Sequence, residues 1–428
     1  MTSPAGGVVL GRESRGRPVA PSRLAIFTSH PIQYQAPYFR ALALDGEVEP
    51  TVFFGSTHGS VQALDRGFGK SFSWDTPVLE GFPHVVLENC ARRPDVSRFL
   101  GVRTDGIRDR WTADDFDACL VLGWQTLAHV QAIRAAWRSN LPLLVRGDSN
   151  LAQRPSAAGR ARLRAALWLP VRERAYRSLF ARVDAFLVTG RRNRDYYRHF
   201  GVPDARLFDA PHCVDNAHFA LPEPARATAR ASVRAGIGVD EETVVFVVPA
   251  KIITMKRPLD VLQAFADLPR GGPRCHLVFL GDGVLRDDVE RRADVLGVRD
   301  HVTIAGFINQ SEMPAWYAAG DALVLASDAM ETWGLAVNEA MAAGLPVILS
   351  DAVGCVPDLA RDGENGFVFP LGDIVALAER MNRLRSSSSR ARAAMGQRSR
   401  EIVATFSVDR LVAATRDALA HVRQRSAR

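Results

Sequence analysis

The 428-residue sequence predicts an α/β protein built from two doubly wound parallel sheets. Three observations predict it. Short runs that are almost wholly apolar recur along the chain, the mark of parallel strands buried on both faces. Longer amphipathic stretches separate them, as crossover helices do. Two such series follow one another, which suits a chain of this length better than a single domain.

In the first half, Leu24–Thr28, Thr51–Phe54, His84–Leu87, Ala118–Leu122, Leu143–Val145 and Ala185–Thr189 read as buried strands. Residues 126–138 and about 160–180 read as helices, the second kinked or divided at Pro170, which removes a donor from the helical ladder. In the second half, Asp321–Ala326 and Leu345–Leu349 read as strands flanking a helix from about Gly334 to Ala343, closed by Gly344.

Composition excludes several classes. Apolar content of 47% and charged content of 24% are those of a globular protein. Five scattered cysteines without a Cys-x-x-Cys support neither a zinc site nor a disulfide framework, so a reducing cytoplasm is the expected location. No apolar run approaches the roughly 20 residues of a membrane span. Residues 1–22 are rich in Gly, Pro, Ser and Arg, and read as a disordered tail. The net charge of +7 is unevenly placed, since residues 151–200 hold twelve arginines against three acids. A basic helix with an apolar face can lie on an anionic membrane, so this window is the candidate for peripheral contact at the inner face. The ordinary reading is an arginine-rich helix whose apolar residues enter the core. No nucleic-acid module is recognised.

The most informative segment runs from Ser327 to Val347. Glu331 lies on the loop at the carboxyl end of a strand, where open α/β sheets bind ligands. Glu339 lies a turn into the next helix, four residues after Leu335 and on the same face. The amides of Gly334 and Leu335 open that helix and are free to bind an anion such as a diphosphate. A carboxylate on each side can accept hydrogen bonds from the vicinal hydroxyls of a ribose and a hexose. Such a pair alone arises by chance in many proteins; its flanking pattern gives it weight.

That pattern resembles the nucleotide-binding domain of family 4 glycosyltransferases, which have the GT-B architecture of two Rossmann-like domains facing across a cleft. The matching pieces, in order, are Val245–Lys256, His276–Gly283 with its Gly-Asp-Gly, Val302–Phe307, the glutamate pair, Gly354, and Asp362–Phe367. Lys251 stands where Arg is usual and Trp333 where Phe is usual. The resemblance implies that Lys251 and Lys256 contact the diphosphate, Glu339 the ribose, and Glu331 the donor sugar. It implies phosphate contacts from Gly334 and Leu335, a base site lined by Gly306 and Phe307, and close backbone approach at Gly281 and Gly283. It further implies a retaining transfer in which the departing phosphate helps deprotonate the acceptor. No metal cofactor is implied, because lysines and helix amides carry the positive charge; Asp115-Phe116-Asp117 precedes its strand and so faces away from the cleft.

The implied division is a tail over 1–22, an acceptor domain over 23–220, a nucleotide-sugar domain over 221–400, and a helix over 401–428 returning to the first domain. The first domain departs from the family. Ser29-His30-Pro31-Ile32-Gln33 replaces the usual glycine pair, and the later strand end Arg146-Gly147-Asp148 lacks the usual His. Arg146, Asp148 or His30 are the candidates to take over that role, with His129 a weaker one. The donor is expected to be a UDP- or GDP-sugar, and the acceptor a glycan, a lipid-linked sugar or a small natural product. An epimerase of the same architecture, or a sugar-nucleotide-binding protein without activity, are the competing readings.

Overall fold

The computed structural model describes residues 20–65, 70–113, 115–153 and 160–426. The tail expected at 1–22 lies almost wholly outside them. Nine strands fall in the first half: β1 (Ser22–Thr28), β2 (Val48–Phe54), β3 (Ala63–Asp65), β4 (Lys70–Phe72), β5 (His84–Val86), β6 (Ala118–Leu122), β7 (Leu143–Gly147), β8 (Ala185–Val188) and β9 (Leu207–Asp209). Six follow: β10 (Val244–Val248), β11 (Cys275–Phe279), β12 (Val302–Ile304), β13 (Ala322–Leu325), β14 (Val347–Ser350) and β15 (Gly366–Phe369).

They form two parallel sheets in the orders β5-β2-β1-β6-β7-β8-β9 and β12-β11-β10-β13-β14-β15, with β3 and β4 as a separate antiparallel hairpin. Ile26 of β1 sits between Val52 and Leu120; Val247 of β10 sits between Val278 and Leu323. Strand order reverses between β1 and β6 in the first sheet and between β10 and β13 in the second. Loops diverge from the sheet there and leave a crevice at the strands' carboxyl ends.

The period-two alternation explains why these runs fold as central strands. Ala25 and Phe27 face one core layer, with Trp111, Ile133 and Phe180, while Leu24 and Ile26 face the other, with Phe39, Leu42 and Leu419. In β10, Val245 and Val247 pack with Tyr317, Val337 and Met341, while Val244, Phe246 and Val248 pack with Val261, Leu262 and Leu377. Both faces are covered by helices, so nearly every position must be apolar.

One sequence expectation is corrected. No division occurs at Pro170: a single helix runs from Arg160 to Ala181 with the proline inside it. Some arginines of residues 151–200 are engaged within the protein. The Arg182 guanidinium lies 3.8 Å from the Trp137 ring centre, and Arg194 and Arg198 pair with Asp204 and Asp209. Arg191 and Arg192 reach the second domain.

The chain passes between the sheets twice. It leaves the first after β9, and it returns through Phe406 to the helix Val408–Ser426, whose Leu411, Val412, Ala418 and Leu419 complete the core beneath β1. Tyr38 and Thr415 share a buried hydrogen bond of 2.9 Å across that junction. The two passages touch, because Asn216 donates through Nδ2 to the carbonyls of Val403 and Phe406 at 3.2 and 3.3 Å.

Around the cleft the domains are in close contact. The amide of Arg191, opening the helix Arg191–His199, donates to the Asp358 carboxylate at 3.1 Å, and Arg192 donates to the Ala352 carbonyl at 2.7 Å. Gly190 lies against Trp333: a β-carbon there would fall 2.4 Å from the indole and 2.9 Å from Asp358 Oδ2. The Gly190 backbone is extended, so sterics alone demand glycine. Gly190→Ala is expected to force the domains apart at a cost of about 1–3 kcal/mol, the scale of overpacking. Its thermal midpoint should fall and its radius of gyration by small-angle scattering should rise; an unchanged scattering curve would mean that the contact absorbs a methyl group.

Candidate active site

Two loops of the second domain meet at the switch point between β10 and β13. The loop after β10 carries Lys251 and ends in a single helical turn, Thr254–Lys256. The loop after β13 carries Glu331. The amide of Asp328 donates to the Met255 carbonyl at 2.9 Å and ties the two together. Across that tie, Lys256 Nζ and Glu331 Oε2 form an ion pair, with only 17% and 14% of the two side chains exposed. Ser327 Oγ donates to the same carboxylate oxygen at 3.1 Å. Gly334 then turns the chain into the helix Leu335–Ala342 with φ of +93°, a left-handed value that favours glycine. The amides of Leu335 and Ala336, at the start of that helix, have no carbonyl within it to bond, while that of Val337 donates to the Gly334 carbonyl at 2.9 Å.

Glu339 lies on the same helix, 9% exposed, yet its surroundings differ. Tyr317, fully buried on the helix Met313–Ala319, donates to Glu339 Oε2 at 2.7 Å, and the Gln310 side chain is a second polar neighbour of the carboxylate. Burial disfavours the charged form more than these two neighbours favour it, so the carboxyl is pushed up to about 7. Glu331, by contrast, has a cation beside it.

The other second-domain candidates line the same edge. A β-carbon on Gly281 would fall 2.0 Å from the Ala250 carbonyl, so the close approach made by this glycine is to the Lys251 loop itself. Gly306 is buried just beyond β12. Phe307 meets Trp74 of the first domain at 6.3 Å between ring centres.

The first-domain candidates separate. Asp148 faces the site: its carboxylate accepts from Thr332 Oγ1 at 2.6 Å, next to Glu331 in the chain. Asn150 Nδ2 approaches the Thr332 carbonyl at 3.5 Å. His30 sits at the carboxyl end of β1, with Nδ1 2.8 Å from Ser29 Oγ and its ring 5.4 Å from that of His58. Burial and the neighbouring imidazoles push it down to about 4, so it is neutral at physiological pH. Arg146 is engaged elsewhere. Its guanidinium donates to the Pro211 carbonyl at 3.1 Å, on the passage between the domains. His129 is structural: Nδ1 bonds Thr126 to cap its helix, and Nε2 lies 3.1 Å from the Leu122 carbonyl. Asp117 lies at the amino end of β6, away from the crevice, and accepts from the Arg23 amide at 2.9 Å. Among the described residues, no three His, Cys, Asp or Glu side chains gather as a metal site.

Sequence reasoning missed Thr332, Tyr317, Gln310 and the interdomain contacts of Trp74 and Asp75. Tyr317 carried one signal, since a polar hydroxyl inside an otherwise apolar helix needs a buried partner.

Residues 230–402 match the family described as glycosyl transferases group 1. The chain is 34% identical over 155 residues to the alpha-D-kanosaminyltransferase of Streptomyces kanamyceticus, covering 36% of this chain and 39% of that protein. It is 30% identical over 234 residues to a GDP-mannose-dependent alpha-(1-6)-phosphatidylinositol monomannoside mannosyltransferase of Mycolicibacterium smegmatis, covering 53% and 59%. The chain thus spans about half the length of the curated relatives it matches. Over most of its length it superimposes on Anabaena HepE in complex with UDP and glucose, with a TM-score of 0.67 at 18% identity, covering 93% of this chain and 99% of that one. Sucrose-phosphate synthase from Thermosynechococcus elongatus gives 0.66 at 18% identity, covering 95% and 100%. The two-sheet chain has the GT-B fold of these solved structures, and within its second domain residues 230–402 match the group 1 glycosyl transferases.

The Glu339 carboxyl makes a prediction about stability. Its value in the fold lies above that of an exposed glutamate, so folding takes up a proton between about pH 4.5 and 7. Its contribution is present below that window and is lost as pH rises through it. In a comparison of denaturation midpoints against pH, Glu339→Gln should lack this component of the decline; parallel curves for the two proteins would show that Glu339 titrates as an ordinary acid.

Proposed function

We propose that this protein is a retaining glycosyltransferase that moves a sugar from a UDP- or GDP-sugar to a hydroxyl acceptor. The observation that carries this reading is the Lys256–Glu331 ion pair beside the amino terminus of the helix Leu335–Ala342, with Glu339 held on that same helix. One cation, one set of helix amides and two carboxylates in different electrostatic states match a diphosphate flanked by two polyols. HepE, of the same fold, was solved with UDP and glucose, and the mycobacterial relative is named for GDP-mannose.

In this reading the diphosphate binds the free amides of the helix start together with Lys251 and Lys256. Binding draws Lys256 from Glu331, which then accepts from hydroxyls of the donor sugar. Glu339 accepts from the ribose hydroxyls, and Phe307 lies along the base. The bond from the anomeric carbon to the phosphate oxygen breaks as the bond to the acceptor oxygen forms on the same face. The acceptor proton passes to the departing phosphate, whose growing charge the lysines and amides stabilise. No metal is needed for that charge. Asp148 holds Thr332, and with it the Glu331 loop, from the acceptor side, while His30 is an uncharged polar group at the end of β1.

The acceptor is a glycan, a lipid-linked sugar or a small natural product. A lipid-linked acceptor, presented at the inner face of the membrane, is supported by the surface that follows β7. Leu151, Leu169 and Val171 are 45%, 43% and 56% exposed, with Arg172 and Arg174 exposed beside the last two. A crossover helix begins at the strands' carboxyl ends, so the first half of Arg160–Ala181 stands on the cleft side.

Calorimetry with UDP and GDP, each with and without EDTA, tests the donor site. One nucleotide should bind whether or not EDTA is present, and Lys256→Ala should weaken it by about 1.5–3 kcal/mol, the scale of a charge-assisted hydrogen bond. Glu331→Gln should keep nucleotide binding and lower turnover by about 10²–10³-fold, the scale of one preorganised polar contact in a transition state. Full activity in both variants would refute the assignment. Vesicles containing phosphatidylglycerol should co-sediment the protein at low salt, and Leu169→Asp/Val171→Asp should abolish this; equal sedimentation of the variant would remove the membrane surface from the reading.

A further inference from the structure

The residues Ser73-Trp74-Asp75, just beyond the β3–β4 hairpin of the first domain, cross to the second domain and grip Asn309-Gln310-Ser311 from both sides. Asn309 donates through Nδ2 to the Ser73 carbonyl at 3.0 Å, and the Asp75 amide donates back to Asn309 Oδ1 at 3.4 Å. The Asp75 carboxylate accepts from the Ser311 amide at 3.2 Å and also from its hydroxyl. Trp74 meets Phe307 beside this grip.

The Gln310 side chain is a polar neighbour of the Glu339 carboxylate that favours its charged form, while its own carbonyl lies 2.9 Å from His218 Nε2 on the passage between the domains. The amides of Glu312 and Met313 donate to the Asn309 carbonyl at 3.1 and 3.2 Å, so the same three residues start the helix that carries Tyr317. Gln310 lies in the segment that the first domain grips, and Tyr317, which bonds Glu339, lies on the helix that this segment starts.

We propose that Asp75 is a positioning residue for the donor site: by fixing Asn309–Ser311 it sets Gln310 on Glu339, so that docking of the first domain orients a carboxylate of the second. The proposal rests on the reading of Glu339 as a ligand of the donor ribose. It makes nucleotide affinity depend on a contact that does not touch the nucleotide. It also makes the loss of that contact, as the domains part, a step that loosens the spent nucleotide.

The test is titration of whichever of UDP and GDP the wild-type protein binds into Asp75→Ala, Asp75→Asn, Gln310→Ala and Asp75→Ala/Gln310→Ala. Asp75→Ala and Gln310→Ala should each weaken binding by about tenfold, the scale of one or two lost hydrogen bonds. Asp75→Asn keeps an acceptor for Ser311 and should recover most of the loss. The double variant should be no weaker than Gln310→Ala alone, because the two residues act in series. A merely structural contact would give neither the rescue nor the lack of additivity. Asp75→Ala with wild-type affinity, or a double variant whose losses add, would overturn the proposal. Wild-type protein that binds neither nucleotide would instead sink the donor-site reading, and this proposal with it.

Discussion

The site depends on one packing constraint, the wedging of Trp333 between the domains. Its indole presses on Gly190 on one side, and its Nε1 donates to Asn338 Oδ1 at 2.8 Å on the other. Asn338 in turn donates to the His212 carbonyl at 3.1 Å. The residue is 4% exposed, so neither ring nor N–H can relax into water. Because Trp333 lies between Thr332 and Gly334, fixing it fixes the loop that carries Glu331 and the first turn of the helix that carries Glu339. A phenylalanine there would fill space without a donor, leaving Asn338 one partner short.

Around that fixed loop, the two glutamates occupy contrasting environments eight residues apart. Glu331 has a lysine against it and a hydroxyl donor. Glu339 has uncharged neighbours, the Tyr317 hydroxyl and the Gln310 amide, and little water, so burial wins and pushes its carboxyl up to about 7. The first is suited to exchanging its cation for sugar hydroxyls as the diphosphate takes the lysine. The second suits a ligand that brings its own donors, since each incoming hydroxyl replaces solvation that the fold has removed.

Much of the fold was legible because central parallel strands leave a strong mark. The centres of β1, β6, β13 and β14 are buried on both faces and read as apolar runs. The site loop was legible for a related reason: Gly334 must take a left-handed φ, and helix, carboxylate and strand follow it within a fixed number of residues. The short edge strands β9 and β15, and the β3–β4 hairpin, were not read as strands from the residues alone. Each spans three or four residues, too few for a period to show. The contacts of Asp148 with Thr332 and of Asp75 with Ser311 were illegible because their partners lie 184 and 236 residues away. The Pro211 contact of Arg146 was illegible for the same reason, as a charged residue at a strand end looks alike whether it faces a ligand or a distant carbonyl. Pro170 failed to divide its helix, because the flanking helical residues carry the chain past one missing donor.

The doubled passage between the domains has a mechanical consequence. A single linker would let the domains tumble about a point. Here two strands of chain run side by side, and Asn216 on the first binds the carbonyls of Val403 and Phe406 on the second. Two attachments joined to each other behave as a door hinge, which has an axis. Any rotation of one domain against the other is thereby restricted to an axis through the paired passages.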